Sequence, residues 1–167
     1  VTEATISDAS LVEISGIAVS RANPGIIWVH QDSGSGPVLT AINTSGDTLG
    51  TLTLTGASST DWEDLALGPC GDATCLWVGD IGDNAASRTD VALWATEEPV
   101  LEGLTDFALT ASATPYPFSY PEGPQDAEAL VIDQDGTPFV LTKRTDMSSR
   151  VYRIPTAGST EAELIGT

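Results

Sequence analysis

The chain is poor in cations, histidine and sulfur. Lys143 is its only lysine and His30 its only histidine, and 24 Asp plus Glu face six Lys plus Arg, a formal net charge of −18. Such a surface repels phosphate backbones and anionic lipid, which excludes nucleic-acid binding as a function class. It suits cations, as a bound metal or a saline medium. Nowhere do about 18 apolar residues follow one another, so no membrane span is expected. No signal-peptide pattern is visible. A Gly-x-Ser-x-Gly elbow is missing, and Ser33-Gly-Ser-Gly36 reads only as a flexible loop. A Gly-rich phosphate loop with lysine and a redox Cys-x-x-Cys pair are missing too. The two cysteines, Cys70 and Cys75, enclose a short Gly- and Asp-containing loop. A disulfide there would staple a β-hairpin and imply an oxidising compartment, so a secreted or periplasmic protein. Free thiols are the other reading. A zinc site lacks ligands, because structural zinc takes four N or S donors.

What is present is periodic. Apolar residues make up 41 % of the 167 positions and fall in short runs, as in one folded domain. No segment sustains a helical period. One phrase recurs: Glu13-Ile-Ser-Gly-Ile-Ala-Val19, Asp61-Trp-Glu-Asp-Leu-Ala-Leu67 and Asp126-Ala-Glu-Ala-Leu-Val-Ile132. Each copy opens on an acid, runs into an apolar strand and is followed by a second strand: Ile26–His30, Leu76–Asp80 and Pro138–Lys143. Recurrence in fixed order predicts an all-β propeller of three four-stranded blades rather than an ordinary sandwich. The blades would span roughly 11–56, 60–120 and 125–167 of a single domain, 1–167. Val38–Asn43 and Thr48–Leu54 would complete the first blade. Val91–Thr96 and a strand within Phe107–Tyr120 would complete the second, with a helical turn in Glu97–Thr105. Arg150–Ile154 and Ala162–Gly166 would complete the third. Thr2–Ser7 alternates enough for an extra strand.

In such a blade the start of the first strand and the end of the second share one face. That collects Glu13 and Ser15, Asp61 and Glu63, Asp126 and Glu128, with His30, Gln31, Asp32, Asp80, Thr142, Lys143 and Arg144. Carboxylates facing one axis repel unless protonated or neutralised by a cation. Their oxygen-rich, nearly histidine-free chemistry suits calcium or magnesium better than zinc. The competing reading makes them strand caps, or partners of Arg21, Arg88 and Arg144. Gly79-Asp-Ile-Gly-Asp-Asn84 offers Asp80, Asp83 and Asn84 on a bent loop, as ligands or as an Asx-turn. His30 reads as a general base or as a hydrogen-bonded strand-end residue. Lys143 stands where other copies carry acids, and is either a charge stabiliser or a surface lysine. Trp28 and Trp77 read as core; Trp62, next to the acids, could reach a pocket.

Through these phrases, together with Trp28-Val-His-Gln-Asp-Ser-Gly34 and Leu141-Thr-Lys-Arg144, the chain resembles bacterial, often actinobacterial, secreted six-bladed propeller proteins. More distantly it is similar to calcium-dependent propeller hydrolases: gluconolactonases, paraoxonases and propeller phytases. The resemblance implies calcium in the channel, with Glu13, Glu63 and Glu128 at the site. Six blades against three here implies a ring completed by a second copy, a homodimer; the alternatives are pairing with a separate other half, or a chain shortened by gene fragmentation. The expected function is calcium-dependent hydrolysis of ester, lactone or phosphoester bonds. Glu13, Glu63, Asp80, Asn84 and Glu128 would be metal ligands, and His30, Asp32 and Lys143 catalytic residues. The alternatives are a non-catalytic binding propeller and purely structural acids.

Overall fold

The computed structural model describes residues 4–167, and every described residue lies in strand, turn or irregular structure, with no helix. Thirteen strands build three sheets. In the first, β1 (Ile14–Val19), β2 (Ile26–Gln31), β3 (Val38–Asn43) and β4 (Thr48–Thr55) form an antiparallel meander. β5 (Trp62–Cys70), β6 (Ala73–Asp80) and β7 (Ala92–Glu97) begin the second. β10 (Ala127–Ile132), β11 (Pro138–Thr142), β12 (Val151–Arg153) and β13 (Glu163–Gly166) make the third.

The single strand expected within Phe107–Tyr120 is instead two. β8 (Phe107–Ser112) leaves the second sheet and pairs parallel with β4, while β9 (Thr114–Pro117) closes the second sheet against β7. The outer edge of β4 carries unpaired N–H and C=O groups, and β8 satisfies them. The turn expected in Glu97–Thr105 is not helical. Residues 4–7 of the expected Thr2–Ser7 strand carry no strand, and residues 2–3 lie outside the described residues.

Alternation along β6 shows how the sheets stack. Leu76 and Val78 enter a core with Trp28, Leu39 and Leu52 of the first sheet. Cys75 and Trp77 face the other way, into a core with Leu130, Val140 and Tyr152 of the third. The second sheet therefore lies between the other two, and its first strand, β5, runs beside both β1 and β10. Trp28, Trp62 and Trp77 are all at most 1 % exposed. Each removes roughly 200 Å² from water, an upper estimate of about 5 kcal/mol in transfer free energy.

Two buried acids tie this packing together. Glu98 accepts hydrogen bonds from Ser20 Oγ, the Arg21 and Ala22 amides and Trp28 Nε1. It thereby anchors the β1–β2 turn to the segment after β7. Asp80, fully buried, accepts from Ser58 Oγ, the Thr60 and Asp61 amides and Arg88 Nη2. Cys70 and Cys75 are disulfide-bonded across the end of the β5–β6 hairpin, with a Cα–Cα distance of 5.8 Å. Gly71 opens the two-residue loop there at φ 68°, a conformation that favours glycine.

Candidate functional site

The three first strands share one irregularity. Pairing slips between Ile14 and Gly16, between Trp62 and Asp64, and between Ala127 and Ala129. Each slip is a β-bulge whose extra residue is Ser15, Glu63 or Glu128, the same place in the recurring phrase. Strict alternation would have sent these side chains to one face; the bulge re-aims them.

The bulges are held by cross-sheet bonds. Ser15 Oγ donates to the Glu63 carbonyl at 2.8 Å. Asp64 Oδ2 accepts from the Leu130 amide at 2.7 Å. The backbone repeats as well: the carbonyls of Glu13, Asp61 and Asp126 accept from the amides of Asp32, Ile81 and Lys143. Asp32, Ile81 and Lys143 are therefore equivalent positions, directly after the second strand of each sheet.

Five carboxylates meet where these positions converge. Asp32, Asp61 and Glu63 can place one oxygen each within 4.8 Å of one another, and so can Glu63, Asp126 and Glu128. Glu63 belongs to both trios. It is 8 % exposed, and its carboxylate receives no hydrogen bond from any described residue. Burial, then the charges of Glu128, Asp32, Asp61 and Asp126, push its pKa up to about 8. Burial and the neighbouring Asp32 also raise Asp61, against the opposing pull of Arg88. Gly82 forms the floor: a Cβ there would collide with Glu63 Oε1 and Asp61 Oδ2. The missing side chain leaves room beside the two acids.

The trios differ in neutralisation. Lys143 Nζ lies 2.6 Å from Glu128 Oε1 and 3.9 Å from Asp126 Oδ2. Asp126 Oδ1 also accepts from the Asp83 amide. Asp32 takes one bond, from the Ser33 amide. The Asp32–Asp61–Glu63 trio makes no ion pair with any described residue. Oxygens bound to one calcium ion at 2.3–2.6 Å lie at most about 5 Å apart, so either trio fits a hard cation in spacing and chemistry.

Of the residues singled out from sequence, Glu63, Glu128, Asp32 and Lys143 are brought together here. Asp80 is not; its carboxylate is spent on Ser58, Thr60, Asp61 and Arg88. Gln31 plays the matching part in the first sheet, its side-chain oxygen accepting from the Val12 and Glu13 amides. Glu13 is exposed and outside both trios, so the first sheet contributes through Asp32. Asn84 is exposed and lines a cleft beside Asp126. Asp83 caps the Ser87 and Arg88 amides.

His30 lies in the packing between sheets. It is 1 % exposed and edge-on to Trp62 at 5.4 Å, with Nδ1 2.8 Å from the Gln31 carbonyl. That carbonyl accepts, so Nδ1 carries the proton and Nε2 is left without a partner. Burial lowers its pKa, against the opposing pull of the Gln31 carbonyl and of Asp64 and Asp32. Gly16 makes room for it, since a Cβ there would strike the imidazole. Trp62 is core: its Nε1 donates to the Ser58 carbonyl and the ring is fully buried.

The bulges were not legible in the sequence. Gly82 is one of the two glycines of the Gly79–Asn84 loop, which permit close backbone approach, and it stands where the other copies have Ser33 and Arg144. No protein-family model and no curated protein matches the chain, so its site is read from its own geometry.

Proposed function

We propose that the chain is a metal-dependent hydrolase of propeller architecture, with calcium as the preferred ion and ester, lactone or phosphoester bonds as substrates. The observation that carries this is Glu63: a residue nine-tenths buried whose carboxylate has no donor among the described residues and stands among four other acids. A structural acid so placed would raise the folded state's energy for no return, whereas a cation makes the same arrangement favourable. Gly82 lets the Glu63 and Asp61 carboxylates approach its backbone closely.

In this reading Asp32, Asp61 and Glu63 hold the cation, because Lys143 already serves the other trio. When bound, the cation would polarise a carbonyl or phosphoryl oxygen and acidify water. Glu128, 38 % exposed, would take a proton from water at Oε2, since its Oε1 is bonded to Lys143. Lys143 Nζ, beside that carboxylate, can steady negative charge developing on substrate. His30 is too enclosed to meet a substrate and supports the inter-sheet packing instead.

The three sheets serve as three blades, and a second copy completes the ring. What supports this is the recurring bulge, the serial stacking and the apolar residues left open on the outer sheets. Ile17 and Val19 are 59 % and 67 % exposed on the first sheet, and Val131 is 50 % exposed on the third. The disulfide supports an extracellular or periplasmic setting. Among the described residues no helix is long and apolar enough to cross a membrane.

The test is calorimetric titration of chelated protein with calcium, alongside turnover on arylester, lactone and phosphotriester substrates. Calcium binding lost in Glu63→Gln, with calcium-dependent turnover, is the expected result. Binding without turnover on any substrate would favour the non-catalytic binding propeller. No binding at all would make the acids structural. Native mass in solution tests the ring, which a monomer would exclude.

A further inference from the structure

A cleft of about 470 Å³ opens beside the carboxylate cluster, lined by Asn84, Gln125, Asp126, Lys143, Arg144 and Thr145 among others. On a chain with only six Lys and Arg, two of them stand side by side on its wall. Neither is locked in place. The Lys143 side chain is 55 % exposed and bonds Glu128, itself 38 % exposed. Arg144 is 31 % exposed, bonds Asp146, 57 % exposed, at 3.2 Å, and donates from Nε to the exposed Ser148 hydroxyl. Ion pairs this open contribute little, so an incoming anion can displace the carboxylates. Elsewhere a net charge of −18 repels anions, so a doubly cationic wall is a selective element.

We propose that this cleft is the substrate subsite and that Lys143 and Arg144 recognise an oxyanion, phosphoryl or carboxylate, on the substrate. The inference rests on the hydrolase reading above and names its substrate class, small anionic esters. Arg144 offers a planar fork that matches either oxyanion with two bonds; Lys143 adds a point charge nearer the reacting end. A cation held by Asp32, Asp61 and Glu63 would add positive charge beside the cleft, next to the groups that hold Lys143. Cation and oxyanion then strengthen each other's binding, by the same factor in both directions.

The test is equilibrium titration of the full chain with methylphosphonate and, separately, acetate, each with and without saturating calcium. One oxyanion per chain is expected, bound at least tenfold more tightly with calcium. Arg144→Gln should weaken it at least tenfold. Arg153→Gln, which removes the same charge from a pair with Glu163 on β12 and β13, should leave it unchanged. Tighter methylphosphonate assigns phosphoryl esters; tighter acetate assigns carboxylate-bearing esters. No saturable binding of either anion, or equal loss in both variants, overturns the proposal. Calcium-dependent turnover of neutral esters without oxyanion binding would sink the subsite and keep the hydrolase. Oxyanion binding without calcium binding or turnover would do the reverse.

Discussion

Asp80 and Glu63 sit on paired neighbouring strands, and both are buried, yet their surroundings are opposite. Asp80 is met by a hydroxyl, two amides and a guanidinium. Glu63 is met by four other carboxylates and no donor. Glu98 repeats the Asp80 pattern at the other side of the second sheet. A buried acid whose lone pairs are filled by the fold is part of the fold. One left empty among like charges is poised for something from outside.

The sharpest way to break the contrast is Asp80→Ala. It leaves Arg88 Nη2, the Ser58 hydroxyl and two amides without their acceptor in a buried setting and should destabilise the chain by about 3 kcal/mol in urea unfolding, while Arg88 keeps Asp90 and the Gly82 carbonyl. A loss under about 1 kcal/mol would erase the distinction between the two acids. Next in size is the cation itself. Calcium at a hundred times its Kd should add about 2.7 kcal/mol to unfolding stability. Gly82→Ala should abolish that gain in a thermal melt, because its Cβ occupies the space between Asp61 and Glu63.

Glu63→Gln reverses the sign. In chelated buffer at pH 8, where about half of the folded chains have released the Glu63 proton, it should raise unfolding stability, because the amide brings no charge to bury among the other acids. The accompanying pH dependence follows from proton counts. Folded Glu63 keeps its proton up to about pH 8, while the unfolded chain releases it near the ordinary value of 4.5. Between those values the folded state holds more protons, so stability falls as pH rises. The slope contributed by Glu63 should vanish in Glu63→Gln and under saturating calcium; its persistence in the variant would assign it to other groups. The smallest effect belongs to Lys143→Met. Its ammonium is exposed, so the thermal midpoint should not move, while ligand binding at the cleft should weaken.

Much of the strand order was legible. β1 and β3 have the bounds expected from Ile14–Val19 and Val38–Asn43, and the disulfide follows from a loop short enough to close on itself. These features are local: alternation, turn residues and spacing act within about ten residues. β8 was legible as a strand but not as a partner of β4. Edge pairing depends on which backbone groups remain open after the sheets assemble. The site divides in the same way. The recurring acids pointed to Glu63 and Glu128, yet Asp80 looked equally available. Only the approach of Ser58, Thr60 and Arg88 removes it.

The sequence by itself determined an all-β chain, a threefold phrase, a strongly acidic surface and a stapled hairpin, because each follows from composition or near-neighbour pattern. The tertiary structure alone decided which acids are satisfied and which are not. It brought Asp32, Asp61, Glu63, Asp126 and Glu128 together by three bulges, sent Glu13 to solvent and enclosed His30 against Trp62. The physical reason is that a carboxylate's role is set by the donors and charges within a few ångströms of it, and those come from strands far apart in the chain.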